Sequence, residues 1–159
     1  MKKIIVISSI LVCAVAFISS TEKSNFSLLK TALSDSLEKD RAKYTAIILQ
    51  QIKGKEKIPA DSVFKNIKMF KGMPAARLLA IMNIAYCKSL GVSCGHCHNT
   101  MDFSSEEKTQ KEITRQMAAM NKEINNNLLK NIKGLQGDAA VINCTTCHRG
   151  EVKPALDIE

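Results

Sequence analysis

Nine side chains in this 159-residue chain, six cysteines and three histidines, can do covalent or metal chemistry, and most of them sit together. Cys94-Gly-His-Cys97-His98 and Cys144-Thr-Thr-Cys147-His148 repeat one pattern, two thiols three residues apart with an imidazole immediately after. On a helical turn, positions i and i+3 place two thiols on one side, where they can form thioether bonds to the two vinyl groups of a porphyrin. The histidine at i+4 then offers a ring nitrogen to the iron. Cys94, Cys97, Cys144 and Cys147 are therefore candidate covalent attachment points for two haems c, and His98 and His148 candidate proximal ligands.

Other chemistries use some of these residues. One zinc held by Cys94, Cys97, Cys144 and Cys147 would make the chain a zinc-stapled binding module, but leaves both trailing histidines without a role. A redox dithiol would call for alternating strands and helices that the pattern lacks. Two disulfides inside C-x-x-C loops would be strained. Cys13 lies in an N-terminal apolar run, Cys87 reads as a small apolar core residue, and His96 as a surface residue with no assigned role.

The elements that must position these groups read as helices, with no convincing strand. Leu29, Leu33, Leu37, Ile47, Ile48 and Ile52 recur at roughly helical spacing after a polar leader over 21–27, in one helix or a broken pair ending near Gly54. Pro59 opens a shorter segment, Val63 to Phe70, closed by Gly72. Pro74 suits a first helical turn, so a helix is expected from Ala75 to Leu90, stopping at Gly91. Ser104-Ser-Glu-Glu107 has the form of a capping box and predicts the start of a long helix. Its stripe of Ile113, Met117, Met120, Ile124 and Leu128 shares one face and should be buried. Asn125-Asn-Asn127 weakens that helix's end, and Gly134 and Gly137 mark a loop before Cys144. Helix, turn and cysteine cluster thus occur twice.

A sixth iron ligand is to be sought among the methionines Met69, Met73, Met82, Met101, Met117 and Met120, since a thioether favours ferrous iron and suits electron transfer. Met82 lies 12 residues ahead of Cys94, and a turn at Gly91 could fold it over the opposite face of the first haem. Met120 holds the corresponding place before the second motif, and Met117 shares its face.

The ends and the composition bound the compartment and the partners. Lys2 and Lys3 precede an apolar run from Ile4 to Phe17, and Ala14-Val-Ala16 fits a small-x-small cleavage rule. Residues 1–20 therefore read as a signal peptide, or as an N-terminal anchor if uncleaved; 21–60 as an N-terminal helical segment; and 61–159 as a dihaem domain. The protein would be periplasmic or otherwise exported. Removing residues 1–20 takes away two lysines and no acid, so the formal charge falls from +8 to +6. Export argues against nucleic acid, and the charges are interleaved. Lys53, Lys55, Lys57, Lys65, Lys68 and Lys71 form the densest basic stretch, a solvated face or a docking patch for an acidic partner. Aromatics make up 4% of the chain, with no Trp, so two porphyrin plates would supply buried area that the side chains do not.

The sequence also resembles a family, the cytochrome c subunit of photosynthetic reaction centres together with its shorter dihaem members. The residues that carry the resemblance are Leu90-Gly-Val92, Cys94 to Asn99, Phe103, Arg115 to Met120, Ile124-Asn125, Cys144 to Gly150 and Lys153-Pro154, within a stretch from about Phe64 to Leu156. The resemblance implies an all-α multihaem fold built from two helix-turn-CxxCH units, about half of a four-haem subunit. It implies Met82 and Met120 as distal ligands opposite His98 and His148. Two functions follow as expectations. The first is an electron carrier with no catalytic residues and no small-molecule substrate, passing single electrons between redox protein partners, membrane-bound ones included. The second is a peroxidase-like enzyme with one open iron.

Overall fold

The computed structural model describes residues 2–135 and 140–157, with side chains from residue 25 onward. No Gly or Pro interrupts the first 53 residues, so neither a helix breaker nor a flexible link is available there, and α1 runs from Lys2 to Gln51. The polar residues 21–27 are thus helical rather than a loose leader. The leader expected over residues 1–20 lies outside the residues whose side chains are described. Among the described residues, no helix is long and apolar enough to cross a membrane.

The chain divides into two compact units, Met1–Ser36 and Leu37–Glu159. In the first, Phe26, Leu28, Leu29 and Leu33 are exposed, and the Thr31 hydroxyl donates back to the Ser27 carbonyl at 3.0 Å.

The second unit begins within α1, which gives way to Gly54 in the left-handed region (φ 80°). The segment expected from Val63 to Phe70 is only the single turn α2, Ala60–Val63, followed by irregular chain with Asn66 and Phe70 at positive φ. Pro59 and Pro74 face each other as an isolated bridge, flanked by Ala60 N–H to Met73 O (2.7 Å) and Ala75 N–H to Ile58 O (2.9 Å). These bonds pair the chain entering α2 with the chain entering the next helix, giving the first amide of each a partner that its own helix cannot supply.

Helix α3, Ala75–Ala80, continues without a break into a π-helical stretch, Ile81–Lys88, and ends before Gly91. Helix α4, Thr109–Glu123, does the same, passing into π-helix over Ile124–Leu128 and a 3₁₀ turn over Leu129–Asn131. Helix α5 is Cys144–His148. The described residues contain no β-strand. The helix-then-cluster repeat read from the sequence is therefore present, with the added feature that both leading helices widen into π geometry, a form concentrated at functional sites.

Two expectations fail locally. The capping box at Ser104 does not form, because the Ser104 hydroxyl and amide both donate to Asp102 Oδ1 (2.6 and 2.9 Å); α4 starts five residues later without a side-chain cap. The α4 stripe is not buried: Ile113, Met117, Met120 and Leu128 all remain exposed. Among the described residues the apolar core is small, consisting of Ile52, Ala60, Ala75, Leu78, Leu79 and Val92.

Candidate functional site

The first cysteine cluster forms a single 3₁₀ turn, Cys94–His96, rather than a full α-helical turn. The i+4 relation survives, because the His98 amide still donates to the Cys94 carbonyl at 3.1 Å. Cys94, Cys97 and His98 line a cavity of about 240 Å³ whose walls include Leu78, Leu79, Phe64, Phe70, Tyr86 and Leu90. Met82, from the π stretch, lines the same cavity, and so does Met69. Spacing pointed to Met82. Nothing in the sequence ranked Met69 above its neighbours, since the irregular chain that brings it there was expected to be helix.

The orientation of His98 is fixed. Its Nδ1 lies 3.1 Å from the Phe103 carbonyl and its ring packs against the Phe103 ring at 5.3 Å. With a proton on Nδ1 pointed at a carbonyl, the lone pair is on Nε2, the state in which an imidazole binds a metal. Burial pushes the His98 pKa below the ordinary imidazole range, which keeps the ring neutral. Phe103 is held in turn by Tyr44 of α1, in an edge-to-face contact at 5.9 Å.

Arg41 of α1, almost fully buried, donates to the Val92 carbonyl at 3.3 Å and to Glu38 Oε2 at 2.5 Å. One long helix thereby clamps the chain on both sides of the cluster. From α4, the Thr114 hydroxyl lies 3.7 Å from Cys97 Sγ. Lys111 Nζ donates to the carbonyls of Phe103, Ser104 and Ser105 at 3.0, 3.2 and 2.8 Å. Glu106 is ringed by Arg115 (2.6 and 2.7 Å), Lys111 (3.4 Å), Lys68 (3.6 Å) and the Asn66 amide. The Arg115 guanidinium is the main reason its carboxyl is held well below the usual carboxylate range.

Cys87, half-buried, also lines the cavity. The neighbouring Cys94 thiol and burial push the Cys87 pKa up, while the Cys87 thiol lowers that of Cys94. His96 is half-buried and does not line the cavity.

The second cluster is built differently. Asn143 caps α5 in a reciprocal box, its side chain accepting from the Thr146 amide and the Thr146 hydroxyl accepting from the Asn143 amide, both at 3.1 Å. The signal was present in the sequence, but with Thr where a capping box is sought with Glu or Gln. Cys144 is half-buried and Cys147 exposed. His148 Nδ1 lies 3.1 Å from the Glu151 carbonyl, repeating the arrangement at His98. Asn125, expected only to weaken its helix, pairs by its side chain with both backbone groups of Ile142, each at 2.8 Å, and Asn121 adds a 3.2 Å bond to the same carbonyl. Met117 and Met120 lie on α4 at 39% and 48% exposure, Met120 four residues ahead of the π stretch that contains Asn125. Met101, at 93% exposure, is remote from burial of any kind. The loop expected around Gly137 lies outside the described residues.

The second cluster packs against the chain that leads into the first. Gly150 donates to the Ser89 carbonyl at 2.9 Å, and the Ser89 and Thr145 hydroxyls are 2.6 Å apart. Gly91, in the left-handed region (φ 62°), lies so near Gly150 that a Cβ there would fall 1.9 Å from the Gly150 carbonyl oxygen. Burial, with Cys144 nearby, pushes the Tyr86 pKa up to about 12.

The chemistry of this donor set fits a c-type haem. Two thiols, a neutral imidazole with Nε2 free of the backbone, and a thioether from the preceding helix line one largely apolar cavity. Among the described residues, no cluster of three or more His, Cys, Asp or Glu side chains could hold a bare metal ion, so the four cysteines are not gathered into a zinc site.

Comparison with known proteins agrees. Residues 32–156 match the family model described as photosynthetic reaction centre cytochrome C subunit. The chain is similar to cytochrome c-554 of Chloroflexus aurantiacus, with 32% identity over 83 residues, 52% of this chain and 20% of that protein. It is similar to the photosynthetic reaction center cytochrome c subunit of Rubrivivax gelatinosus, with 37% identity over 76 residues, 42% of this chain and 21% of that protein. To the subunit of the same name from Thermochromatium tepidum it is 36% identical over 84 residues, 46% of this chain and 20% of that protein. The matched stretches thus span about a fifth of each relative. A match over most of the chain, falling on the helices and clusters just described, places this protein in the photosynthetic reaction centre cytochrome c subunit family.

Proposed function

We propose that this protein is an exported dihaem c-type cytochrome that carries single electrons between redox protein partners and performs no substrate chemistry. The observation that carries the reading is the repetition at His98 and His148: each ring directs Nδ1 at a backbone carbonyl three or five residues on, 3.1 Å away, in the residue next to a C-x-x-C pair.

In this reading, Cys94 and Cys97 attach one haem and Cys144 and Cys147 the other, with His98 and His148 as proximal ligands. The bound haems supply a reversible one-electron couple. The chain's own residues do the rest. Arg41, Tyr44 and Phe103 hold the first cluster rigid, which keeps the ligand geometry similar in both oxidation states. The apolar walls around Met82 keep water away. Met82 is the proposed first distal ligand, with Met69 the other thioether in the same cavity. Met120 is the proposed second, with Met117 sharing its helix face, and the apolar α4 stripe is the surface against which a second macrocycle would lie. The Gly91–Gly150 contact supports short passage between the two centres. Four ionised propionates would bring the charge of the processed chain from +6 to about +2, so docking of partners rests on local patches rather than on net charge.

The test is expression in cells that export the chain and attach c-type haem, followed by spectra of both oxidation states and a count of haem per chain. Two covalent low-spin haems are expected, with Met82→Ala leaving both attached and converting one to a high-spin, ligand-accessible form. One high-spin haem that reacts with peroxide in the unaltered protein would replace the carrier by the enzyme reading.

A further inference from the structure

We propose that Lys111 is a positioning residue that raises the reduction potential of the haem held at Cys94–His98, acting through the Phe103 carbonyl. The proposal rests on the cytochrome reading above. One oxygen joins the two groups: Phe103 O is 3.1 Å from His98 Nδ1 and 3.0 Å from Lys111 Nζ.

A carbonyl that accepts from a metal-bound histidine draws on its N–H proton and makes the opposite ring nitrogen a stronger donor to iron, which favours the ferric state. An ammonium on the same oxygen competes for its electron density. The pull on the His98 proton is reduced, Nε2 is a poorer donor, and the ferrous state gains. The unit positive charge, one carbonyl away from the ring, acts in the same direction through space.

The geometry keeps Lys111 at this post. Its side chain is only 11% exposed, and its three protons are directed at consecutive carbonyls, those of Phe103, Ser104 and Ser105. Glu106, 3.4 Å from Nζ, opposes the effect, but its side chain is 39% exposed and its charge is shared with Arg115, which is 15% exposed. The cations are the less screened partners, so the field reaching His98 is positive.

Spectroelectrochemical titration of the haem-loaded full-length protein, fitted as two one-electron components, tests this. Lys111→Met is expected to move one component downward by about tenfold in its reduction equilibrium, about 59 mV for one electron, and to leave the other in place. Lys111→Arg keeps the charge and should restore most of the shift. Glu106→Gln removes the opposing anion and should move the same component upward. A residue that only braces the loop would shift both variants in one direction, so opposite signs separate tuning from bracing. The proton on His98 Nδ1, followed by NMR, should move in Lys111→Met and recover in Lys111→Arg. Haem-loaded Lys111→Met with unchanged potentials, or variants at 111 and 106 shifting alike, overturns the proposal alone. A wild-type chain that carries no haem overturns the cytochrome reading and this inference with it.

Discussion

The two cysteine clusters share a five-residue pattern yet are supported by opposite means. The first is a single 3₁₀ turn with no side-chain cap of its own, held from outside by Arg41 and Tyr44 of α1 and by Lys111 and Thr114 of α4. The second is a short helix with its own complete cap, held to the rest by Asn121 and Asn125 through Ile142 and by the contacts of Thr145 and Gly150 with Ser89 and Gly91. A single helix serves both, the early turns of α4 reaching the first cluster and its later turns the second. Identical ligand spacing therefore does not require identical support. A buried site can borrow rigidity from its neighbours, whereas a more exposed one must supply its own through local capping.

That contrast can be broken, and the largest effect is expected at the proximal ligands. His98→Ala in the haem-loaded protein should lower Tm by roughly 10 °C or more, because the first centre lies within the core, while His148→Ala should lower it by less than half as much. Equal losses, measured by calorimetry, would show that both centres are equally integrated. Next comes the join between them. Gly91→Ala places a methyl group against the Gly150 carbonyl and an L-residue at positive φ, and should cost at least about 2 kcal/mol in urea unfolding.

A smaller effect is expected at the second cluster's tether. Asn125→Ala leaves the Ile142 amide unpaired and its carbonyl with only the 3.2 Å bond from Asn121, and should cost about 2 kcal/mol, with faster hydrogen exchange at Ile142 and little change around His98. The smallest is a pH dependence. The Glu106 carboxyl is held below its ordinary value of 4.5, so its contribution is present above pH 4.5 and is lost as the pH falls below it. Glu106→Gln should flatten that part of the stability profile, and the change should track the first cluster rather than the second.

Some of this was legible in the chain before it folded. Cysteine and histidine spacing is local and survives even where the turn is 3₁₀ instead of α, because His98 still reaches back four residues to Cys94. Helix content was legible from periodicity and from the lack of Gly and Pro through α1. Other signals misled. Ser104 and Glu107 spelled a capping box, but Asp102 lies two residues from Ser104 and took its hydroxyl, while the carbonyls nearby were claimed by Lys111. The Asn125 run looked like a weak helix end, because an amide that matches both backbone groups of Ile142 finds them only when residue 142 returns 17 positions later.

The sequence by itself determined which atoms are available for chemistry, their local order, and the helices that carry them, since those depend on contacts within four or five residues. Tertiary structure alone decided which groups come together: Met69, Met82, Cys87 and Cys94 around one cavity, Lys111 at the carbonyl behind His98, Gly91 against Gly150. Those encounters depend on chain segments up to about 60 residues apart being brought together, and short-range periodicity holds no record of the path that does so.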